Sequence, residues 1–162
     1  MRVLSILLLV PAVALAQQGA KPAAGLISEK VLPLDMAVDI ARAAVEKCRA
    51  DGYRTTVAIV DAGGNLKLSM RDDGTSPHTV EVARKKAYTA LIYRRPSMET
   101  AKLWATQVPP PSIDGTIALG GGFPIRAGDQ VVGAIGVSGA PGQDKDEACA
   151  NAGLAAVAAR LK

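Results

Sequence analysis

The chain reads as an α+β domain: one antiparallel sheet of five strands with helices packed on it. Three observations predict this. Two runs, Thr55 to Ala62 and Val131 to Val137, are β-rich and uncharged almost throughout, so both faces of each strand are buried and the two belong side by side at the sheet centre. Each is joined to a neighbour through a glycine-containing turn, Gly63-Gly64 and Gly128-Asp129, which makes antiparallel hairpins. The segments before, between and after them carry three- and four-residue apolar steps.

Taken in order, the pattern turns helical at Leu34 with Met36, Ile40, Ala43, Ala44 and Cys48. Asp35 favours the positive end of the helix dipole and Gly52 ends the helix near Asp51. After the first buried strand, Leu66, Leu68 and Met70 alternate with Asn65, Lys67, Ser69 and Arg71, so the second strand has a wet face and lies nearer an edge. Ser76-Pro77 is a helix entry, and a helix follows to about Tyr93 with a core stripe of Val80, Ala83, Ala87, Ala90 and Leu91. Its second stripe, Val82, Lys86, Thr89 and Tyr93, faces either solvent or another subunit. A shorter helix runs from Pro96-Ser97 to Trp104, and Gln107 to Gly115, with three consecutive prolines, is a stiff loop. Thr116 to Leu119 is the predicted third strand, Phe123 to Ala127 the fourth and Val131 to Val137 the fifth, in spatial order 2-1-5-4-3. Asp144 with Glu147 then resembles a capping box opening an alanine-rich last helix.

With 162 residues, 49% of them hydrophobic, the chain has material for one well-cored domain. Residues 1–16 read as a signal peptide: Met1-Arg2 is a positive start, Val3 to Val10 an apolar run, and Ala14-Leu15-Ala16 a cleavage site. The apolar stretch is too short for a membrane span of about twenty residues and is broken by Pro11. The expectation is a periplasmic or secreted protein with no membrane insertion after cleavage, a flexible tail over 17–32, and a single domain over 33–162. Without Arg2 there remain eighteen basic against fifteen acidic side chains and 3% aromatics, a balance that gives no footing for nucleic acid. The two cysteines, Cys48 late in the first helix and Cys149 early in the last, are neighbours if those helices pack antiparallel. They are then either a disulfide or two small buried hydrophobes.

Four motifs in sequence, VAIVDAGGNL (Val57 to Leu66), ARKKAYTA (Ala83 to Ala90), GGGFPI (Gly120 to Ile125) and GDQVVGAIGVSGA (Gly128 to Ala140), followed by Asp144, Asp146 and Glu147, resemble the GlcG/HbpS-like family. That family is described as haem-binding or haem-degrading and is related to the C-terminal domain of PduO-type cobalamin adenosyltransferases. The resemblance spans Pro33 to Lys162. It implies a profilin-like fold, homo-oligomeric assembly, haem or a corrinoid as ligand and, in one exported branch, service to a membrane-bound redox or sensor partner.

The residues themselves exclude the common catalytic patterns: there is one histidine, no G-x-S-x-G, no P-loop and no H-E-x-x-H. His78 is the sole imidazole, either an ordinary exposed helix-start residue or an axial ligand to haem iron. Arg71, Lys85, Arg94 and Arg95 are candidate partners for haem propionates. Gly120, Gly121 and Gly122 either relieve crowding at a strand end or line a ligand site, with Phe123 and Pro124 as an apolar wall. For an enzyme acting on a small acid or on haem, Asp61, Asp114 and Lys86 are the polar groups expected near the glycines. An oligomeric accessory protein is the third class.

Overall fold

The computed structural model describes residues 25, 28–108 and 111–162. The predicted signal peptide, most of the predicted tail and two of the loop prolines lie outside them. Leu32, assigned to the tail by the sequence reading, is 2% exposed and belongs to the core, so packing begins at the end of that segment.

Helix α1 (Leu34–Ala50) is followed by β1 (Thr56–Asp61) and β2 (Leu66–Arg71), then α2 (Thr79–Tyr93) and α3 (Ser97–Trp104). Strands β3 (Gly122–Ala127) and β4 (Gln130–Ser138) precede α4 (Gln143–Val157) and a short 3-10 turn. All neighbours in the sheet are antiparallel, in the order β2-β1-β4-β3. The two buried runs lie together as expected, with Val57 opposite Val137 and Ile59 opposite Ile135.

Among the described residues the sheet has four strands rather than five. Thr116 to Leu119 carries β-prone residues but takes its hydrogen bonds elsewhere: the Ile117 N–H donates to the Thr89 hydroxyl of α2 at 2.9 Å, and Thr116 N–H bonds locally to the Ile113 carbonyl. Strand β3, which includes Pro124, is therefore the edge, a position that tolerates a residue without an N–H.

Helices α1 and α4 cover one face. There Ile40, Ala44 and Val45 meet Val57, Ile59, Ile135 and Val137 in one cluster, and Cys48 is bonded to Cys149 across the two helices. Helix α2 covers the other face, where Ala87 and Ala90 meet Val60 and Ala134. The approach is close because two sheet residues lack side chains. A Cβ at Gly136 would lie 2.1 Å from the Ala83 carbonyl oxygen, and one at Gly122 would lie 2.2 Å from that of Lys86.

The turn leaving β2 is pinned by Asp72, whose carboxylate is buried and accepts from Arg49 (3.0 and 2.7 Å), from Arg54 (3.4 Å) and from the Asp73 N–H (2.8 Å). The Arg49 bond is the main influence holding the Asp72 carboxyl at about 2, against an ordinary 3.8. Because the folded value is the lower one, the stabilisation is complete above the ordinary carboxylate range and is lost as pH falls from near 3.8 toward 2. Denaturant midpoints measured through that window should fall less steeply for Asp72→Asn than for the wild type; parallel slopes would show that Asp72 plays no such part.

Candidate functional site

A cleft of about 650 Å³ opens between the N-termini of α2 and α4. That volume lies within the range of roughly 300–1,000 Å³ usual for small-molecule sites. The loop before α2 supplies Thr75, Ser76 and His78, and α2 itself supplies Thr79, Val82 and Lys86. The opposite wall is the β4–α4 connection, Ser138 to Gln143, with Asp146 from the first turn of α4; Tyr53, Arg54 and Leu119 complete it.

At the floor, the Lys86 ammonium donates to the Asp146 carboxylate at 2.7 Å and to the Val137 carbonyl at 3.0 Å. The other Asp146 oxygen accepts the Ala140 N–H at 3.1 Å. The two side chains are 3% and 5% exposed. Burial pushes the Asp146 carboxyl above its ordinary value, and the Lys86 charge opposes that shift. The pair ties α2, the end of β4 and the start of α4 together at one point, which fixes the distance between the cleft walls.

The stripe predicted to face solvent or a second subunit is thus largely internal. Lys86 and Thr89 are buried, the latter against the 116–119 segment, and Tyr93 stacks edge-on with Trp104 at 5.4 Å. The capping box expected from Asp144 and Glu147 does not form: Gly142 is the N-cap of α4 and has no side-chain cap bond. Asp146 takes up the local amide of Ala140 instead. Helix α2 likewise starts two residues later than Pro77, with His78 as an N-cap that also makes no side-chain cap bond.

Of the candidate ligand-binding and catalytic residues named from sequence, only His78 and Lys86 line this cleft. His78 is exposed, and its imidazole has no hydrogen-bond partner among the described residues. Arg71 donates to the Thr75 carbonyl and so braces the cleft wall from behind. Lys85 reaches Glu81 at 3.9 Å along the α2 surface, Arg94 caps the far end of α2 in a left-handed conformation, and Arg95 bonds the Tyr93 carbonyl.

These four cations do not converge. The glycines are packed rather than open: Gly121, at φ +110, gives its carbonyl to Val137 N–H, and the Gly122 N–H donates to Ser97 at 2.8 Å. Phe123 packs on the α1/α4 core, and Pro124 faces a separate shallow groove with Leu154 and Ala155. Asp61 binds its own turn through Gly63 and Asn65, and Asp114 is exposed in a loop. Lys86 alone of the three enzyme candidates lies by the glycines, where a Cβ on Gly121 would come within 3.1 Å of its nitrogen.

Thr75, Arg54 and Asp146 were not legible as site residues. Asp146 stands sixty positions from Lys86, and nothing local in either sequence marks the other. The single available signal was a lysine set between Val82 and Thr89 on a helix face otherwise made of uncharged residues.

Known proteins share this architecture. Residues 32–155 match the family described as haem-degrading protein HbpS-like. Protein GlcG of Escherichia coli is 30% identical over 112 residues, 67% of this chain and 81% of its own. The crystal structure of HbpS superposes with a TM-score of 0.77 at 42% identity, covering 83% of this chain and 97% of that one. The crystal structure of a PduOC–haem complex gives 0.70 at 25% identity, covering 78% and 95%. The four motifs, the antiparallel sheet and the matched span together make the chain a member of the HbpS-like family.

Proposed function

We propose that the protein binds haem or a related tetrapyrrole in the cleft between α2 and α4, with His78 as the axial ligand to iron. The observation that carries this is the position of His78: the chain's single imidazole stands, without a protein partner among the described residues, on the wall of the cleft between α2 and α4. The other walls suit the same ligand. Val82, Leu119, Pro141 and Tyr53 offer apolar surface for a macrocycle, and Arg54 offers guanidinium N–H groups to a propionate.

The Lys86–Asp146 pair is satisfied within the protein, so its role is to hold the floor and keep the walls apart. When bound, haem would supply iron coordination and redox chemistry that the side chains lack. The family description and the PduOC–haem complex support the reading. Export to the periplasm or beyond the cell belongs to the same proposal, supported by the Cys48–Cys149 disulfide, a bond favoured in oxidising compartments.

Haemin titrated into the purified protein should shift the Soret band saturably. His78→Ala should weaken binding at least about tenfold, the equivalent of roughly 1.4 kcal/mol, with an unchanged far-ultraviolet circular dichroism spectrum. An equal Soret shift and affinity in the variant would remove the assigned ligand, and no shift in either protein would remove the site.

A further inference from the structure

Strand β4 ends on Ser138, which the register places opposite Thr56 and on the same sheet face as Gly136, the face covered by α2. Ser138 is 5% exposed and lines the cleft. Its hydroxyl makes no hydrogen bond among the described residues, yet it is not sealed inside the fold as those of Thr55, Thr75 and Thr100 are. What little of the residue is open faces the cleft. The hydroxyls beside it are already spent: Thr56 meets Thr79 at 2.7 Å, and Thr79 donates to the Ser76 carbonyl at 2.7 Å.

Gln143 adds a second donor to the same wall. The Gly120 N–H donates to its Oε1, and because a backbone N–H requires an acceptor, this fixes which end of the amide is the oxygen. The Nε2 hydrogens are left over, on a side chain that lines the cleft and finds no protein acceptor among the described residues. The acid nearby does not claim these donors, since Asp146 takes the Lys86 ammonium and the Ala140 N–H.

We propose that Ser138 and Gln143 bind one carboxylate of the ligand against the β4–α4 wall, leaving the other to Arg54, whose side chain is 60% exposed at the rim. A hydroxyl and an amide NH2 offered from one wall call for an acceptor, and a carboxylate accepts such bonds more strongly than a neutral oxygen does. On haem the propionates are the peripheral groups that accept; methyl and vinyl groups do not. One acidic edge therefore faces inward, and Ser138 and Gln143 set the orientation of the macrocycle. This deepens the tetrapyrrole reading and rests on it for the identity of the rest of the ligand.

Two variants separate binding from folding. Ser138→Ala removes a buried hydroxyl that has no protein partner, so the variant should melt at or above the wild-type temperature. Gln143→Glu keeps an oxygen for the Gly120 N–H and exchanges the NH2 for a second carboxylate oxygen; an acid in the first turn of α4 suits the helix dipole, so this variant should melt no lower. Ser138→Ala should nevertheless bind haemin about threefold to tenfold more weakly, and Gln143→Glu at least about tenfold more weakly, with affinity for haemin dimethyl ester falling less in both. Gallium protoporphyrin, which is diamagnetic, should move the Gln143 side-chain NH2 resonances. Propionate alone, at millimolar concentration, should move the same resonances saturably.

Gallium protoporphyrin bound with those resonances unmoved, and both variants at wild-type haemin affinity, would overturn the inference and leave the tetrapyrrole reading standing. Saturable shifts with propionate in a protein that binds neither porphyrin would keep the carboxylate seat and remove the tetrapyrrole. A protein that binds neither probe loses both.

Discussion

Replacing Lys86 by Met should destabilise the protein by about 3–5 kcal/mol in denaturant unfolding at neutral pH, the usual cost of leaving one partner of a buried ion pair alone. The side chains are close to isosteric, so the effect isolates the charge rather than a cavity. What remains is Asp146, enclosed, with one bond from Ala140 N–H and no cation. Burial already holds its carboxyl above the ordinary value with Lys86 present, and removing Lys86 raises it further. A carboxyl whose folded value is raised favours the folded state when protonated and opposes it once ionised. The deficit of Lys86→Met is therefore greatest at neutral pH and narrows as the pH falls through the carboxyl's folded value. The double variant Lys86→Met/Asp146→Leu should recover most of the loss, apart from the amide stranded at Ala140. A single-variant loss below about 1 kcal/mol, or a deficit that widens in acid, would mean that the pair is solvated and does not brace the cleft.

The pairing of Val57–Val60 with Val131–Val137 was legible because a run apolar on both pleat faces has one place to go, the middle of a covered sheet. The hairpins were legible because glycine marks its own turn: Gly64 and Gly128 have φ of +83 and +64. Thr116 to Leu119 misled because β-propensity reports fit to a half-buried surface. Here that surface is the side of α2, reached through Thr89, not the edge of a sheet. Gly120 to Gly122 misled for a related reason, since a residue without a Cβ admits backbone and ligand alike; what approaches Gly122 is the Lys86 carbonyl. His78 was singled out by residue type alone, as the one imidazole in the chain, and its place on a cleft wall is seen only in the structure. Arg71, Lys85, Arg94 and Arg95 could not be placed, because a charge on a helix or strand end says nothing of which way it leans. The opposite half of the site comes from α4, so it became visible only when the sheet brought the two helix starts together.

Removing the Cys48–Cys149 bond should cost about 2–5 kcal/mol. The bridge closes a loop with a sequence separation of 101, and the chain-entropy account for a loop near that length gives about 4.7 kcal/mol at 25 °C. Nearly the whole described fold lies inside this loop: both central strands, α2, α3 and the first turns of α4. The comparison that changes no side-chain volume is wild type oxidised against wild type reduced, followed by guanidinium unfolding. Both cysteines are fully buried, so reduction has to be carried out on unfolded chain that is then refolded under reductant. The reduced protein should unfold at lower denaturant with a larger dependence on its concentration, because the unbridged unfolded chain exposes more surface. Cys48→Ala/Cys149→Ala should lose slightly more, through the small cavities it leaves between α1 and α4. Cys149 stands one turn beyond Asp146 on α4, so the same bond anchors the helix that carries half of the cleft. Local loosening of that helix would appear as faster amide exchange around Asp146 in the reduced protein than at β1, where the sheet is paired on both sides. Coincident unfolding midpoints for the oxidised and reduced forms would show that the helix packing alone supplies the stability and that the bridge is incidental to it.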